Sequence, residues 1–192
     1  MEPFYSLSAA ERVALTREAH DKGQPLMARW AEVQSDFGDR WLPRAQASAE
    51  WLAGASSVAD LGCGTMNLEG CLRPGQSYIP VDVVARDNRT LVLDLNKPSD
   101  LARLPEAEAC ALLGVLEYSY APDELLAALR RRYGQVVTTF NVLLDETRES
   151  RLEQGWVNHF THSEFLELFS RHGFRLFRER FFGGRQYIFD FR

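Results

Sequence analysis

The segment Val58-Ala59-Asp60-Leu61-Gly62-Cys63-Gly64-Thr65 decides the predicted fold. Its first four residues read as a short strand that runs directly into Gly62 and Gly64. Because glycine has no β-carbon, a ligand can approach the main chain closely at such a turn. We expect a helix to begin after the turn and to offer free amide groups to that ligand. A tight loop without any ligand would also explain the glycine pair.

The chain after this turn alternates between predicted strands and helices. Strands are predicted at residues 58–61, 77–84, 90–94, 109–113 and 135–140, and helices at residues 99–104 and 122–133. This alternation predicts a parallel sheet with helices on both faces. A helix at 161–172 and strands at 174–182 and 186–191 follow, with the turn-forming pair Gly183-Gly184 between the strands. The sheet should therefore end in an antiparallel hairpin.

The N-terminal part is predicted to be helical from residue 7 to residue 53. Ser8 and Glu11 form a capping-box pattern at the first helix, and breaks are expected at 23–25 and 37–39. Residues 1–56 are therefore expected to form a helical cap and residues 57–192 the core, within one compact domain. The cap either covers a ligand as a lid or packs against the sheet, and both readings stay open.

Acidic residues and a glycine end the strands that follow the glycine turn. Asp82 ends the second predicted strand, where a carboxylate can accept hydrogen bonds from both hydroxyls of a ribose. Asp94 ends the third strand, where a carboxylate can meet the exocyclic amine of an adenine, and Gly114 follows the fourth. Each residue alone also reads as an ordinary turn or cap. Together they fall on the carboxyl edge of a parallel sheet, where open α/β folds bind ligands.

The motifs, taken in order, resemble a known family. The runs VADLGCGT, YIPVDV, LVLDLN and ALLGVLEY resemble successive motifs of class I S-adenosylmethionine-dependent methyltransferases, and GWVNHFTHSEFLELFSRHGF resembles the C-terminal helix of bacterial members. The resemblance covers residues 58–192. It implies a Rossmann-like α/β sheet that is mostly parallel, with a C-terminal antiparallel hairpin and helices on both faces.

The resemblance also implies S-adenosyl-L-methionine as cofactor and assigns residues to it. By position, Asp60, Gly62 and Gly64 would surround its methionine part, Asp82 would bind the ribose, Val83 would pack on the adenine, Asp94 and Leu95 would hold the adenine edge, and Gly114 would line the floor near the sulfonium. The sequence departs from the family at Met66, which replaces the third glycine of the usual pattern. The short stretch between Gly64 and the second strand leaves room for only a short first helix.

Candidate residues on the acceptor side follow the fourth and fifth strands. Glu117, Tyr118 and His159 are predicted to be catalytic, and Asn141 and His162 are further candidates. A helix-start carboxylate, a packed aromatic ring and a structural histidine are the ordinary alternatives. The polar loop at 143–158 is expected near the acceptor entrance. Arg40 and Arg44, beside Trp41, either meet a carboxylate or phosphate or form surface ion pairs.

Composition narrows the class of protein further. The chain has 192 residues with a net charge of −5, which gives no bulk attraction to nucleic acid or to anionic membranes. Its three cysteines form no CxxC pair, so we expect neither a zinc site nor disulfides, and no metal. The N-terminus does not read as a signal peptide, and no apolar run has the length of a membrane helix, so a cytoplasmic protein is expected. The oligomeric state is not readable from the sequence.

The sequence therefore predicts an S-adenosylmethionine-dependent methyltransferase acting on a small-molecule acceptor. The first alternative is a module that binds this cofactor without catalysis, or a partner subunit. The second is an NAD-dependent dehydrogenase, which predicts a sixth parallel strand at the place where we expect the Gly183-Gly184 hairpin.

Overall fold

A computed structural model describes residues 3–31, 36–145 and 147–192. The strands are β1 (Ser57–Leu61), β2 (Ser77–Asp82), β3 (Leu91–Val92), β4 (Ala109–Leu113), β5 (Gln135–Asn141), β6 (Leu176–Gly183) and β7 (Gln186–Phe191). The helices are α1 (Ala9–Asp21), α2 (Met27–Trp30), α3 (Asp36–Leu52), α4 (Pro98–Leu101), α5 (Pro122–Arg132), α6 (Arg148–Leu152) and α7 (His162–Arg171). Short 3₁₀-helices lie at Phe4–Ser6, Glu69–Cys71 and Leu116–Tyr118.

The strands form one seven-stranded sheet in the order β3-β2-β1-β4-β5-β7-β6. β1 to β5 are parallel, and β7 runs antiparallel between β5 and β6. The strand order runs from β1 outward to β2 and β3, and from β4 in the opposite direction to β5. The carboxyl ends of β1 and β4, where the order switches, therefore open a crevice. The predicted mostly parallel sheet with a C-terminal antiparallel hairpin is confirmed.

Helices cover both faces of this sheet. β4 is buried along its whole length. Its apolar sequence Ala-Cys-Ala-Leu-Leu is typical of a central strand that is covered on both faces. On one face, α7 buries Phe165 and Phe169, and the Phe169 ring stacks on Phe191 of β7 with ring centroids 3.8 Å apart. On the other face, α3 packs Trp51 and Leu52 in a separate apolar cluster with residues of β4, β5 and β7.

Several element boundaries differ from the sequence predictions. The predicted break at 37–39 is wrong, because α3 is continuous from Asp36, and Gly38 inside it costs only about 1 kcal/mol. The predicted helix after the glycine turn is also wrong: between β1 and β2, all of which is described, only turns and the 3₁₀-helix Glu69–Cys71 occur. Between the breaks predicted at 23–25 and 37–39, the described residues contain α2, and residues 32–35 lie outside the described part of the chain.

The capping box predicted at the start of α1 is present, with Ser8 bonded to Glu11, and a second one joins Thr161 to Glu164 at the start of α7. The third strand is only two residues long, and it lies at the sheet edge, where it pairs with β2 alone. Among the described residues, no helix combines the length and the apolar character needed to cross a membrane.

Candidate functional site

A cavity of about 320 Å³ opens at the carboxyl edge of the sheet. It is lined by every residue that the sequence analysis assigned to the cofactor, namely Asp60, Gly62, Gly64, Asp82, Val83, Asp94, Leu95 and Gly114. Glu117, Tyr118 and Asn141 line the same cavity. The strand order explains this convergence, because β1, β2 and β4 are neighbours and their carboxyl ends meet in one crevice.

The glycine turn after β1 is held in shape by main-chain hydrogen bonds and positive φ angles. The amides of Gly62 and Cys63 both donate to the carbonyl of Val81 on β2, at 2.8 and 3.0 Å. Gly62 and Gly64 have φ of 77° and 51°, a region that favours glycine. Met66 has φ of 58°, so the residue that replaces the third glycine keeps a glycine-like backbone. The turn therefore keeps its shape without the following helix.

Asp60 is buried at the carboxyl end of β1 and faces the cavity. Burial raises the pKa of Asp60 to about 7, while the hydrogen bond from the Tyr78 hydroxyl, at 2.8 Å, acts in the opposite direction. Nearby Asp82 raises the pKa further, and Arg44 lowers it. A carboxyl in this state can accept a hydrogen bond from an ammonium group or can itself hold a proton.

Asp82 is buried, and most of its hydrogen-bonding capacity is already used. Oδ2 accepts from the amide of Gly64 at 2.9 Å, and Oδ1 accepts from the amide of Val84 at 3.0 Å and from Arg86 Nη2 at 3.2 Å. A carboxylate offers about four acceptor positions. Asp82 can therefore accept one further donor as it stands, whereas binding both hydroxyls of a ribose requires Arg86 to move.

Asp94 lies two residues after the end of β3 and lines the same cavity as Asp82, which ends β2. Its Oδ1 accepts from the amide of Asn96 at 3.0 Å, and Lys97 Nζ lies 3.4 Å from Oδ2. Its own amide donates to Asp100 Oδ2 at 3.0 Å, which fixes the position of the turn. The ammonium of Lys97 is largely exposed, so a ligand amine can compete for Oδ2 at small cost.

Glu117 lines the cavity and is fully buried. Its Oε1 accepts from the amide and from Nδ2 of Asn141, at 2.9 and 2.8 Å, whereas its Oε2 has no hydrogen-bond partner among the residues that the structure describes. Burial raises the pKa of Glu117, and the bonds from Asn141 offset this only in part. One carboxylate oxygen is therefore fixed by the protein, and the other is a buried acceptor without a partner among the described residues.

Tyr118 lies beside Glu117, but its oxygen is fully used as an acceptor. Arg29 donates to Oη from Nε and Nη2, at 3.2 and 2.8 Å, and Trp156 Nε1 donates at 3.0 Å. A phenolic oxygen has two lone pairs. Tyr118 is therefore better placed to shape the cavity wall than to accept a proton.

The two candidate histidines lie outside the residues that line the cavity. His159 is partly buried in the loop before α7. It is the preceding residue, Asn158, that contacts the 116–119 segment, because its Nδ2 donates to the carbonyls of Leu116 and Ser119. His162 Nε2 lies 2.8 Å from Glu179 Oε2 on β6. The prediction that His159 is catalytic rested on its position in the sequence alone, which does not show on which side of the loop the residue lies.

Helix α3 forms a wall of the cavity that the sequence analysis did not assign. A β-carbon on Gly64 would lie 3.3 Å from the Trp41 ring, and one on Gly114 would lie 2.7 Å from Arg44 Nη1. The C-terminal half of the same helix packs on the sheet through Trp51 and Leu52. One helix thus does both things that the sequence left open, covering the cavity and packing on the core.

Comparisons with known proteins agree with this geometry at the level of the fold. No protein-family model matches the sequence, and neither does any curated protein. The structure of human N-acetylserotonin methyltransferase in complex with S-adenosylmethionine is similar, with a TM-score of 0.63 at 19% identity over 96% of this chain and 56% of that one. This chain thus spans little more than half the length of the human protein.

Two further solved structures are similar in the same way. Mitomycin 7-O-methyltransferase gives a TM-score of 0.66 at 16% identity, over 98% of this chain and 69% of that one. A methyltransferase of calicheamicin biosynthesis with S-adenosylhomocysteine bound gives 0.56 at 16% identity, over 94% and 68%. The sheet order, the antiparallel hairpin and these similarities together show that the chain has the class I methyltransferase fold.

Proposed function

We propose that this chain is an S-adenosylmethionine-dependent methyltransferase that acts on a small-molecule acceptor. The observation that carries the proposal is the convergence of the glycine turn, Asp82, Asp94 and Gly114 on one cavity, next to a buried carboxyl, Glu117. Two of the similar structures contain this cofactor or its demethylated product. The small cavity and the negative net charge favour a metabolite over a nucleic acid as the acceptor.

The cavity residues fit such a cofactor. Gly62 and Gly64 leave the main chain of the turn open to a ligand, and Asp60 can accept from the ammonium of an amino-acid group. Asp82 keeps one acceptor position for a ribose hydroxyl, and Asp94 lies where an adenine amine can displace Lys97. The main adjustment that binding requires is at Arg86, if both ribose hydroxyls are to bond to Asp82.

The chemistry that the cofactor supplies is a methyl group activated on a sulfonium, so the protein has mainly to align the acceptor and exclude water. Helix α3 and the aromatic side chains Trp30 and Trp41 line the cavity and would limit the space for water around a bound cofactor. Glu117 Oε2 can take a proton from an acceptor hydroxyl or amine, while Asn141 holds the other oxygen in place. A raised pKa suits a group that must exchange protons near neutral pH.

A transfer assay tests the catalytic part of this proposal. Methyl-labelled S-adenosylmethionine and the purified chain are incubated with a panel of small hydroxyl, amine, thiol and carboxylic acid compounds, and transferred label is counted. We expect label in at least one acceptor. Tight cofactor binding with no transfer to any acceptor would instead favour the non-catalytic binding module. The short segment between β1 and β2, which has only a 3₁₀-helix, is the feature that supports this alternative.

The alternative of an NAD-dependent dehydrogenase receives no support from the sheet. It predicts a sixth parallel strand, whereas β7 pairs antiparallel with β5 from Val136 to Asn141. Addition of NAD to the assay should therefore give neither binding nor redox turnover.

A further inference from the structure

Strand β6 forms a free edge of the sheet. It is the last strand in the sheet order, so β7 pairs with one side of it, and no strand in the described part of the chain pairs with the other. An edge strand presents unpaired main-chain N–H and C=O groups, with which a strand of another chain can pair. The opposite edge, β3, is only two residues long, whereas β6 extends over Leu176–Gly183. β6 is therefore the edge that offers more main chain to an added strand.

Two irregularities limit the part of β6 that can pair further. Its register with β7 shifts near both ends of the strand, and only the stretch 178–181 pairs regularly, with residues 187–190. Natural proteins use such bulges, and charged side chains, to protect sheet edges from unwanted pairing. Four regular residues supply few main-chain hydrogen bonds, so an added strand must also be recognised by the side chains of β6.

Three apolar side chains of β6 are exposed. Phe177 is 61% exposed, more than any other large apolar residue in the described part of the chain, and Phe181 is 57% exposed. Leu176, on the same strand, is 39% exposed. Single exposed apolar residues are ordinary, but several that fall together are typical of an interaction surface. Bulges and charges would protect the edge without these side chains, so their presence favours a role of the edge in binding.

The region around β6 is strongly basic. Residues 175–192 contain five arginines and two acidic residues, whereas the whole chain has a net charge of −5. One of the acidic residues, Asp190, is fully buried and forms an ion pair with Arg178 at 3.0 Å. The other, Glu179, has its Oε2 atom 2.8 Å from Nε2 of His162. Positive charge is therefore in excess at this edge, which favours an acidic partner.

Two of the arginines lie against the Trp51 ring. The guanidinium carbons of Arg178 and Arg180 are 4.7 and 5.4 Å from its centroid. A guanidinium stacked on an aromatic face keeps its in-plane N–H groups available for a carboxylate. Arg180 uses only Nη2 in the hydrogen bonds it makes with described residues, in one bond to the exposed Glu50 at 3.3 Å. Arg180 is thus held beside the edge with most of its donors available.

The two faces of β6 differ in chemistry. Phe181 pairs with Tyr187, so it lies on the face of the sheet that α7 covers. Arg178 and Arg180 lie on the opposite face, beside Trp51 of α3. Because successive residues of a strand point to opposite faces, a strand added to β6 also alternates between these two environments. The best match is a segment in which apolar residues alternate with acidic ones.

We propose that the edge of β6 binds an extended acidic segment of a partner protein, which adds to the sheet as a further strand. Main-chain hydrogen bonds along 178–181 supply part of the affinity, and the alternating side chains supply the specificity. A second copy of β6 fits less well. Antiparallel pairing of two copies centred on Glu179 sets Arg178 opposite Arg180, and like charges directly opposite each other destabilise a sheet. Residues 176–183 do not line the cavity, so this inference does not depend on the proposed function.

Fluorescence anisotropy with three labelled octapeptides tests the proposal. The first repeats Val-Glu, the second repeats Val-Lys and so reverses the charge, and the third repeats Pro-Glu. The third keeps the negative charge, but proline lacks the N–H group that strand pairing needs. We expect the wild type to bind the Val-Glu peptide at least about tenfold more tightly than either of the others. If the Pro-Glu peptide binds as tightly as the Val-Glu peptide, no strand is added and the proposal is wrong.

Variants of the chain show whether the peptide lies at β6. Arg180→Glu and Phe181→Ser change exposed side chains, so both should fold, and each should weaken binding of the Val-Glu peptide about tenfold or more. The matched controls are Arg131→Glu, at an exposed position of α5, and Leu144→Ser, at a residue that is also 57% exposed. Both controls should bind as the wild type does. Unchanged binding by Arg180→Glu and Phe181→Ser would place the peptide elsewhere and overturn the proposal.

Three further measurements separate the partner from other occupants of this edge. Hydrogen exchange of the amides at 178–181 should slow when the Val-Glu peptide is bound, and protection only in other segments would contradict strand addition. Sedimentation velocity that shows a dimer in the wild type and a monomer in Phe181→Ser would assign the edge to a second copy. Binding of oligouridylate, lost in Arg180→Glu, without binding of the Val-Glu peptide would assign it to nucleic acid. Either assignment would overturn the proposal.

Discussion

Arg86 Nη2 lies 3.2 Å from Oδ1 of Asp82, at the strand end where the ribose-binding carboxylate is predicted. Both side chains are nearly buried, and Arg86 also donates to the carbonyl of Trp30. The ion pair therefore links the carboxyl end of β2 to the N-terminal segment. It orients the carboxylate, and it also occupies an acceptor position that a ribose needs. Ligand binding and the position of Arg86 should for this reason be coupled.

The first prediction concerns Asp82. Replacement of Asp82 by Asn removes its charge and should weaken S-adenosylhomocysteine binding about tenfold or more, because hydrogen bonds to a charged acceptor are the stronger ones. Isothermal titration calorimetry measures the change. Asp123→Asn is the control, since Asp123 is an exposed carboxylate on α5 that pairs with His172 and Arg171. Equal affinities of Asp82→Asn and wild type would remove Asp82 from the binding site.

Most of the fold, and the convergence of the strand-end residues on one cavity, could be predicted from the sequence. Strand ends that carry Asp60, Asp82, Asp94 and Gly114 converge because parallel strands present their carboxyl ends at one edge. Each of these residues can be recognised from its local sequence, and the order of the parallel strands brings them to one edge of the sheet. The C-terminal hairpin was equally visible in the alternation of Tyr187 with its neighbours after a double glycine.

The remaining features depend on tertiary contacts, which local patterns do not reveal. The turn signals at 37–39 did not end a helix, because packing of α3 outweighs the small cost of one internal glycine. The side of the loop on which His159 lies is set by the bonds of Asn158 to the 116–119 segment. Whether Arg44 meets a partner on the surface or faces a cavity depends on the position of α3 over Gly114.

The second prediction concerns the space around the glycine turn. A β-carbon on Gly62 would lie 2.5 Å from Val115 Cγ2, at a φ of 77°. Gly62→Ala should therefore lower the free energy of unfolding by about 2–4 kcal/mol, through backbone strain and overpacking together. Urea denaturation measures the loss.

The matched control for this steric argument is Gly184→Ala, which has a φ of 60° and no neighbouring atom within 4 Å. It should cost only about 1 kcal/mol, from the backbone alone. Adding Val115→Ala to Gly62→Ala should restore part of the lost stability. If the double variant is no more stable than Gly62→Ala, the contact with Val115 is not the cause.

The third prediction is a pH dependence that comes from Asp60. Burial raises the pKa of Asp60 to about 7, whereas its ordinary value is 3.8. The protonated form is favoured in the folded state, so this contribution to stability is complete below about pH 4 and is lost as the pH rises through 7. Relative to Asp60→Asn, which does not titrate, the wild type should lose on the order of a few kcal/mol between these values.

Urea unfolding of both proteins at closely spaced pH values measures this difference. Asp123→Asn should show the opposite sign, because hydrogen bonds from His172 and Arg171 lower the pKa of Asp123, and its contribution is lost as the pH falls. If the difference in stability between wild type and Asp60→Asn stays constant from pH 4 to 8, the pKa of Asp60 is not raised in the folded protein, and the prediction is wrong.

The fourth prediction separates proton transfer from cofactor binding. Gln at position 117 keeps an oxygen for Asn141 but cannot take a proton, so Glu117→Gln should fold and bind S-adenosylhomocysteine almost as the wild type does. Its turnover on an acceptor that the wild type methylates should fall about 100-fold or more. Glu124→Gln, at an exposed position in the first turn of α5, is the control. Full turnover by Glu117→Gln would exclude a role for this carboxyl in proton transfer.

The central claim is that the cavity at the carboxyl edge of the sheet binds the adenosine and amino-acid parts of one cofactor. Calorimetric titration of the wild-type chain with S-adenosylhomocysteine, alongside NAD, tests it most directly. We expect saturable binding of S-adenosylhomocysteine at a single site and no heat of binding with NAD. No binding of S-adenosylhomocysteine at any accessible concentration, or binding of NAD in its place, would contradict it.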